Sequence, residues 1–147
     1  MHNIDRELVG FILADGCFMI LKQTRRRKYS GKKVGDKIYT FVNYVPRVNI
    51  SQREDNLKLL QFAQERYGGY VMENCSFKQP YHRVFYWTIQ NRKSCELVAR
   101  YVMESNLPHH KKKAAKIVYD FCHETDPDKY HIYYDQIRQA NKFQGVT

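Results

Sequence analysis

The sequence predicts an α+β fold, with an antiparallel sheet and helices packed on one of its faces. Three observations point there. Segments with strand character come in hairpin pairs, the first between residues 18 and 51 and the second at 70–75 with 83–89. Segments with helical spacing precede, separate and follow those pairs. No motif repeats along the 147 residues, so one domain over 1–147 accommodates the whole pattern. Strands joined as hairpins pair antiparallel, and helices set between the pairs cover one face and leave the other free.

Taken in order, Asn3 or Asp5 caps a first helix, and Gly16 ends it by allowing a left-handed turn. Phe18, Ile20 and Lys22 then alternate with Met19, Leu21 and Gln23, a strand pattern. Residues 25–37, RRRKYSGKKVGDK, read as a basic turn. A second strand, 38–45, leads through Pro46 into a third, 47–51, where Val48 and Ile50 take one face and Arg47 and Asn49 the other. Ser51-Gln-Arg-Glu54 has the form of a capping box and opens a helix to about Arg66, with Leu59, Phe62 and Ala63 as its apolar stripe and Gly68-Gly69 as its stop. The second hairpin, 70–75 with 83–89, is joined by a loop containing Pro80. A helix with Leu97, Val98, Tyr101 and Val102 on its buried side follows. The next starts near Lys111 and carries Ala114, Val118, Phe121 and Cys122. Thr125-Asp-Pro-Asp starts a helical tail, 125–147, bearing Tyr130, Tyr133, Tyr134 and Ile137. With the segments either side of Pro46 taken together, the order is α-β-β-α-β-β-α-α plus the tail. On this register Arg83 and Phe85 join Arg47 and Asn49 on the free face.

Composition narrows the function classes. A chain that is 43% hydrophobic, with 12 Tyr and 8 Phe, has the apolar content of a folded protein. Its formal net charge of +10 suits a polyanionic partner, of which nucleic acid is the commonest. No run is long enough to span a bilayer, so no membrane partner is expected. The opening MHNIDREL lacks the basic start and apolar core of a secretory leader. Cys17, Cys75, Cys95 and Cys122 show no CxxC pairing, and only Cys122 has an adjacent His. That argues against a zinc site and for reduced thiols. An intracellular setting is expected, a mitochondrion or chloroplast included.

One string carries more. Leu8 to Gly16 reads LVGFILADG and is followed by Cys17-Phe18. It resembles the motif of the LAGLIDADG homing endonuclease family, and the element order behind it is similar over most of residues 3–123. Leu13 stands where that motif has its first acid; Asp15 keeps the second. A single copy of the motif resembles the homodimeric branch. The resemblance implies a saddle-shaped homodimer over double-stranded DNA and hydrolysis of both strands of a long, near-palindromic site with Mg²⁺. Intron homing is the implied role.

The spacing makes physical sense of the motif. Gly10 and Ala14 lie on one side of the helix, where small residues allow close approach of a second helix. Leu8, Gly10, Phe11 and Ala14 are therefore the expected dimer interface. Two copies packed about a two-fold axis would bring their Asp15 carboxylates together, and Asp15 with Ala14 is the expected metal-binding pair. The resemblance adds Gln52 as a group that orders water and a basic residue at the next-to-last helix, Lys111 or Lys112, as a charge stabiliser. An ungapped match would put His110 there. Lys and Arg of 25–37, Arg27 among them, with Lys111 to Lys113, are expected on phosphates. Gln23, Arg25, Asn43, Arg47, Asn49, Asn74 and Arg83 are expected at base edges. Two other readings use the same scaffold: an RNA maturase, with intron RNA as partner, and a DNA-binding protein that does not cleave.

Overall fold

The computed structural model of the chain describes residues 3–29, 37–74, 83–106 and 108–142. Helix α1 (Asn3–Asp15) runs into strand β1 (Gly16–Tyr29), which pairs with β2 (Lys37–Arg53). Helix α2 (Leu57–Tyr67), strands β3 (Tyr70–Glu73) and β4 (Val84–Ile89), and helices α3 (Arg92–Glu104), α4 (Lys111–His123) and α5 (Tyr130–Lys142) follow. The described strands form one antiparallel sheet in the order β1-β2-β4-β3. The predicted α+β class and helix-covered sheet are what the chain adopts.

The register separates the two faces. Phe18 pairs with Val48, Val48 with Ile89 and Ile50 with Trp87. All of these, with Ile20, are buried beneath the helices. Leu8, Val9, Ile12 and Leu13 of α1, Leu60, Ala63 and Tyr67 of α2, and Val98, Val102, Val118 and Phe121 of α3 and α4 complete that core. Each large apolar side chain so buried contributes about 1.5–3 kcal/mol. Helix α5 lies along β1, where Asn141 Nδ2 donates to the Phe18 carbonyl at 2.9 Å and Tyr134 packs on Tyr44.

Several expected details change. Residues 25–29 extend β1 rather than turning, while 30–36 lie outside the described residues, as do Cys75 and Pro80. Pro46 does not interrupt β2. It pairs with Ile20 at a point beyond the β4 ladder, which covers only 48–53, so β2 is an outer strand there and tolerates a missing N–H. Gly16 has no left-handed backbone. It is needed because a Cβ there would lie 2.7 Å from the Ile12 carbonyl oxygen. Gly68 and Gly69 do stop α2 with positive φ, 79° and 83°. The capping box is not formed: Ser51–Arg53 are strand, paired with Tyr86, Phe85 and Val84, and α2 starts at Leu57 after a short turn. That start rotates the buried face of α2 to Leu60, Ala63 and Tyr67, leaving Phe62 exposed.

Asp5 is inside α1 and is a buried anchor, not a cap. Arg66 donates to both its oxygens, at 2.6 and 3.0 Å, and the Tyr67 hydroxyl donates to Oδ1. Burial, then the hydrogen bond to Asp5, pushes the Tyr67 phenol well above its ordinary pKa. This group ties α1 to α2. Asp5→Ala removes the acceptor shared by two donors and should destabilise the fold by about 3 kcal/mol. A melting temperature lower by about 6–12 °C in calorimetry is the expected reading.

Candidate active site and nucleic-acid interface

Asp15 closes α1 and Gly16 opens β1, so the carboxylate sits where the helix meets the sheet. Its Oδ2 accepts from Gln52 Nε2 at 2.8 Å, and Gln52 Oε1 accepts from Asn56 Nδ2 at 2.8 Å. Gln52 is on β2 and 9% exposed, with both ends of its amide engaged. In this arrangement it aims Asp15. Asn56 was not legible as part of the site, because its partner is reached only once the capping box gives way to strand.

The structure separates the two lysines. Lys111, the first residue of α4 and 8% exposed, donates from Nζ to the carbonyls of Ala14 at 3.1 Å and Ile12 at 3.4 Å. Helix α1 ends in an acid with no basic residue in its last turn, so its carbonyl end draws a cation from α4. Burial lowers the Lys111 pKa, opposed by the charge of Asp15 and of Cys17. Lys112 instead donates to the Ser105 carbonyl. His110 is exposed and stacked on His109, whose Nδ1 accepts the Lys111 backbone N–H at 3.2 Å.

The donor set suits a hard cation but is incomplete in one chain. No group of three or more His, Cys, Asp or Glu side chains that could hold a metal lies among the described residues. What the chain offers is the Asp15 carboxylate and the Ala14 carbonyl, both oxygen donors. The second of these already attracts an ammonium. On the outer side of α1, Gly10 and Ala14 are exposed and Phe11 is half-buried. A Cβ at Gly10 would meet nothing within 4 Å. Leu8, expected at the dimer interface, is instead 2% exposed and belongs to the chain's own core.

Cross-strand pairs line the free face: Gln23 with Asn43, Arg25 with Phe41, Arg27 with Tyr39, Met19 with Arg47 and Cys17 with Asn49. All alternate with the core positions, so Gln23, Arg25, Arg27, Asn43, Arg47 and Asn49 share one surface. Arg25 donates to Gln23 Oε1 at 3.2 Å. Arg47 donates to the Tyr70 hydroxyl at 3.2 Å, while Arg47 Nε and Thr88 Oγ1 are buried without hydrogen-bond partners. Asn74 follows β3, its N–H bonded to the Val84 carbonyl at 2.7 Å. Arg83 and Phe85 are not on this surface. Phe85 pairs with Gln52 two positions from Trp87 and packs against the core, and Arg83 forks onto Glu73 at 2.8 and 2.9 Å. Tyr70 is an addition that no local pattern reveals. Tyr70→Phe should free the Arg47 guanidinium and weaken affinity for a nucleic acid bound on this face about three- to tenfold, one hydrogen bond's worth. Fluorescence anisotropy at fixed salt reads this.

A family profile described as LAGLIDADG endonuclease matches residues 8–122. Among solved structures, the homing endonuclease I-CvuI in complex with the I-CreI target and 2 mM Mg, with DNA not cleaved, superposes with a TM-score of 0.63. It is 14% identical, over 96% of this chain and 82% of that one. The homing endonuclease I-TnaI gives 0.63 at 16% identity, over 99% and 90%. The group I intron-encoded homing endonuclease I-CeuI complexed with DNA gives 0.62 at 18%, over 95% and 68%. Among curated protein sequences, none matches the chain. Identities this low establish a common fold, and the profile match, which takes in the α1 motif, Gln52 and Lys111, establishes the relationship: the chain belongs to the LAGLIDADG endonuclease family.

Proposed function

We propose that the chain is a homodimeric, Mg²⁺-dependent DNA endonuclease that cuts both strands of a long, near-palindromic site, as an intron-homing enzyme does. The observation that carries this reading is the position of Asp15. It lies at the junction of an uncovered small-residue helix face and a free polar sheet face. Packing Gly10 and Ala14 against their copies about a two-fold axis would bring two Asp15 carboxylates together. Asp15 and the Ala14 carbonyl of each copy would hold the cation. A bound cation of this class polarises the scissile phosphate and acidifies water. Asn56 fixes Gln52, and Gln52 fixes Asp15 Oδ2, leaving Oδ1 for the cation. Arg47 and Asn49 present bidentate groups suited to guanine and adenine, while the excess positive charge serves the phosphates. The solved complexes of I-CvuI and I-CeuI with DNA support double-stranded DNA as the partner.

The test is incubation with supercoiled DNA carrying the gene's own insertion site. Linear product with Mg²⁺ and none with EDTA is expected. Tight binding without cutting in Mg²⁺ would overturn the nuclease reading in favour of a binding protein.

A further inference from the structure

We propose that the Lys111 ammonium is a tethered occupant of the cation site, and that a divalent ion must displace it from the Ala14 carbonyl in order to bind. The inference rests on the reading of Asp15 and Ala14 as metal donors and assigns a regulator to that site. Three observations carry it. Lys111 Nζ lies 3.1 Å from Ala14 O, the same atom a cation would use. The side chain is almost wholly buried, so its charge is poorly screened by water. Its anchors are backbone carbonyls, Ala14 O and Ile12 O.

A divalent cation binds a carbonyl oxygen at about 2.0–2.6 Å. With Lys111 in place, three positive charges would meet around one oxygen, one of them on a buried side chain, and their repulsion would oppose metal binding. The ammonium is the mobile partner, because it ends a flexible four-carbon stem whose backbone is fixed at the start of α4. Once released, it keeps its charge and stands beside the metal-loaded junction, where a DNA phosphate would sit. Metal loading therefore converts Lys111 from an internal helix cap into a phosphate contact. The ammonium that caps α1 in the free protein also keeps the site from holding metal tightly before DNA arrives.

The experiment uses the free protein without DNA, with Mn²⁺ binding followed by electron paramagnetic resonance and Lys111→Met and Asp15→Asn compared with the natural chain. Lys111→Met is expected to bind Mn²⁺ about tenfold more tightly, since the occupant no longer has to leave. In the natural chain, saturation with Ca²⁺ should raise acylation of Lys111 in mass-spectrometric footprinting. Lys112, held on the Ser105 carbonyl, should be unchanged. This second measurement decides the matter alone if Lys111→Met does not fold. Asp15-dependent binding that Lys111→Met leaves equal or weaker overturns the displacement, as does flat Lys111 labelling at metal saturation. Binding that survives Asp15→Asn overturns the metal reading itself.

Discussion

Asp15→Asn should bind its DNA site as tightly as the natural chain and cut it about a thousandfold more slowly or worse. The size follows from what a metal contributes. Stabilising charge on a phosphate in the transition state is worth several kcal/mol, and each 1.36 kcal/mol is tenfold in rate. The substitution is mild in every other respect. Asn keeps an oxygen that can accept from Gln52 Nε2, so the chain from Asn56 through Gln52 stays intact. Lys111 keeps its bonds to the backbone carbonyls of Ile12 and Ala14, which the substitution does not touch. An acid at the carbonyl end of a helix is moreover unfavourable, by about 0.3–1 kcal/mol at an exposed position, so neutralising it does not cost the fold. Single-turnover cleavage and fluorescence anisotropy on the same duplex separate the two effects. A natural cleavage rate in Asp15→Asn would remove the acid from the reaction. Lost binding with a lowered melting temperature would make it a structural residue.

The parts of this architecture that could be read from sequence are those set by neighbours within a few residues. The alternation at 47–51 fixed which side of β2 meets the helices, because burying Val48 and Ile50 forces Arg47 and Asn49 outward. The same alternation in β1 put Gln23, Arg25 and Arg27 on that surface. Readings failed where a distant partner outcompeted a local pattern. Ser51-Gln-Arg-Glu54 has the residues of a capping box, yet β4 takes the backbone of 51–53 and Asp15 takes Gln52. The helix start moved to Leu57 in consequence, and with it the buried stripe of α2. Asp5 has the chemistry of a cap, but its partners are Arg66 and Tyr67, some sixty positions along the chain. The face of Arg83 and Phe85 was not legible because nothing in the sequence between Asn74 and Arg83 sets the register of β4, and a shift of one position reverses every side chain. Lys111 and Lys112 are equivalent as letters. Only the packing of α4 against the end of α1 distinguishes the one that reaches Ala14.

Gly10→Leu should leave each chain folded and produce a monomer that no longer makes double-strand breaks, with cleavage down by at least about a hundredfold. Within one chain the position is empty of consequence: an added Cβ meets nothing within 4 Å, and leucine is a better helix former than glycine by up to about 1 kcal/mol. Circular dichroism should be unchanged and the melting temperature of the isolated chain equal or slightly higher. In the proposed two-fold dimer the same position would lie at the closest approach of two helices, and the bulk would be introduced twice, once from each copy. The axes would be forced apart, and the two Asp15 carboxylates with them. If, as proposed, each chain contributes one Asp15 carboxylate and one Ala14 carbonyl to a shared site, separation would remove half of the donors. Leu8 cannot serve for this test despite its place in the motif. It is buried in the chain's own core, so truncating it would report on folding. Sedimentation of Gly10→Leu with and without DNA gives the decisive reading. A dimer that still cuts both strands would show that the seam does not run through this face of α1, and that the Asp15 pair is assembled by some other surface.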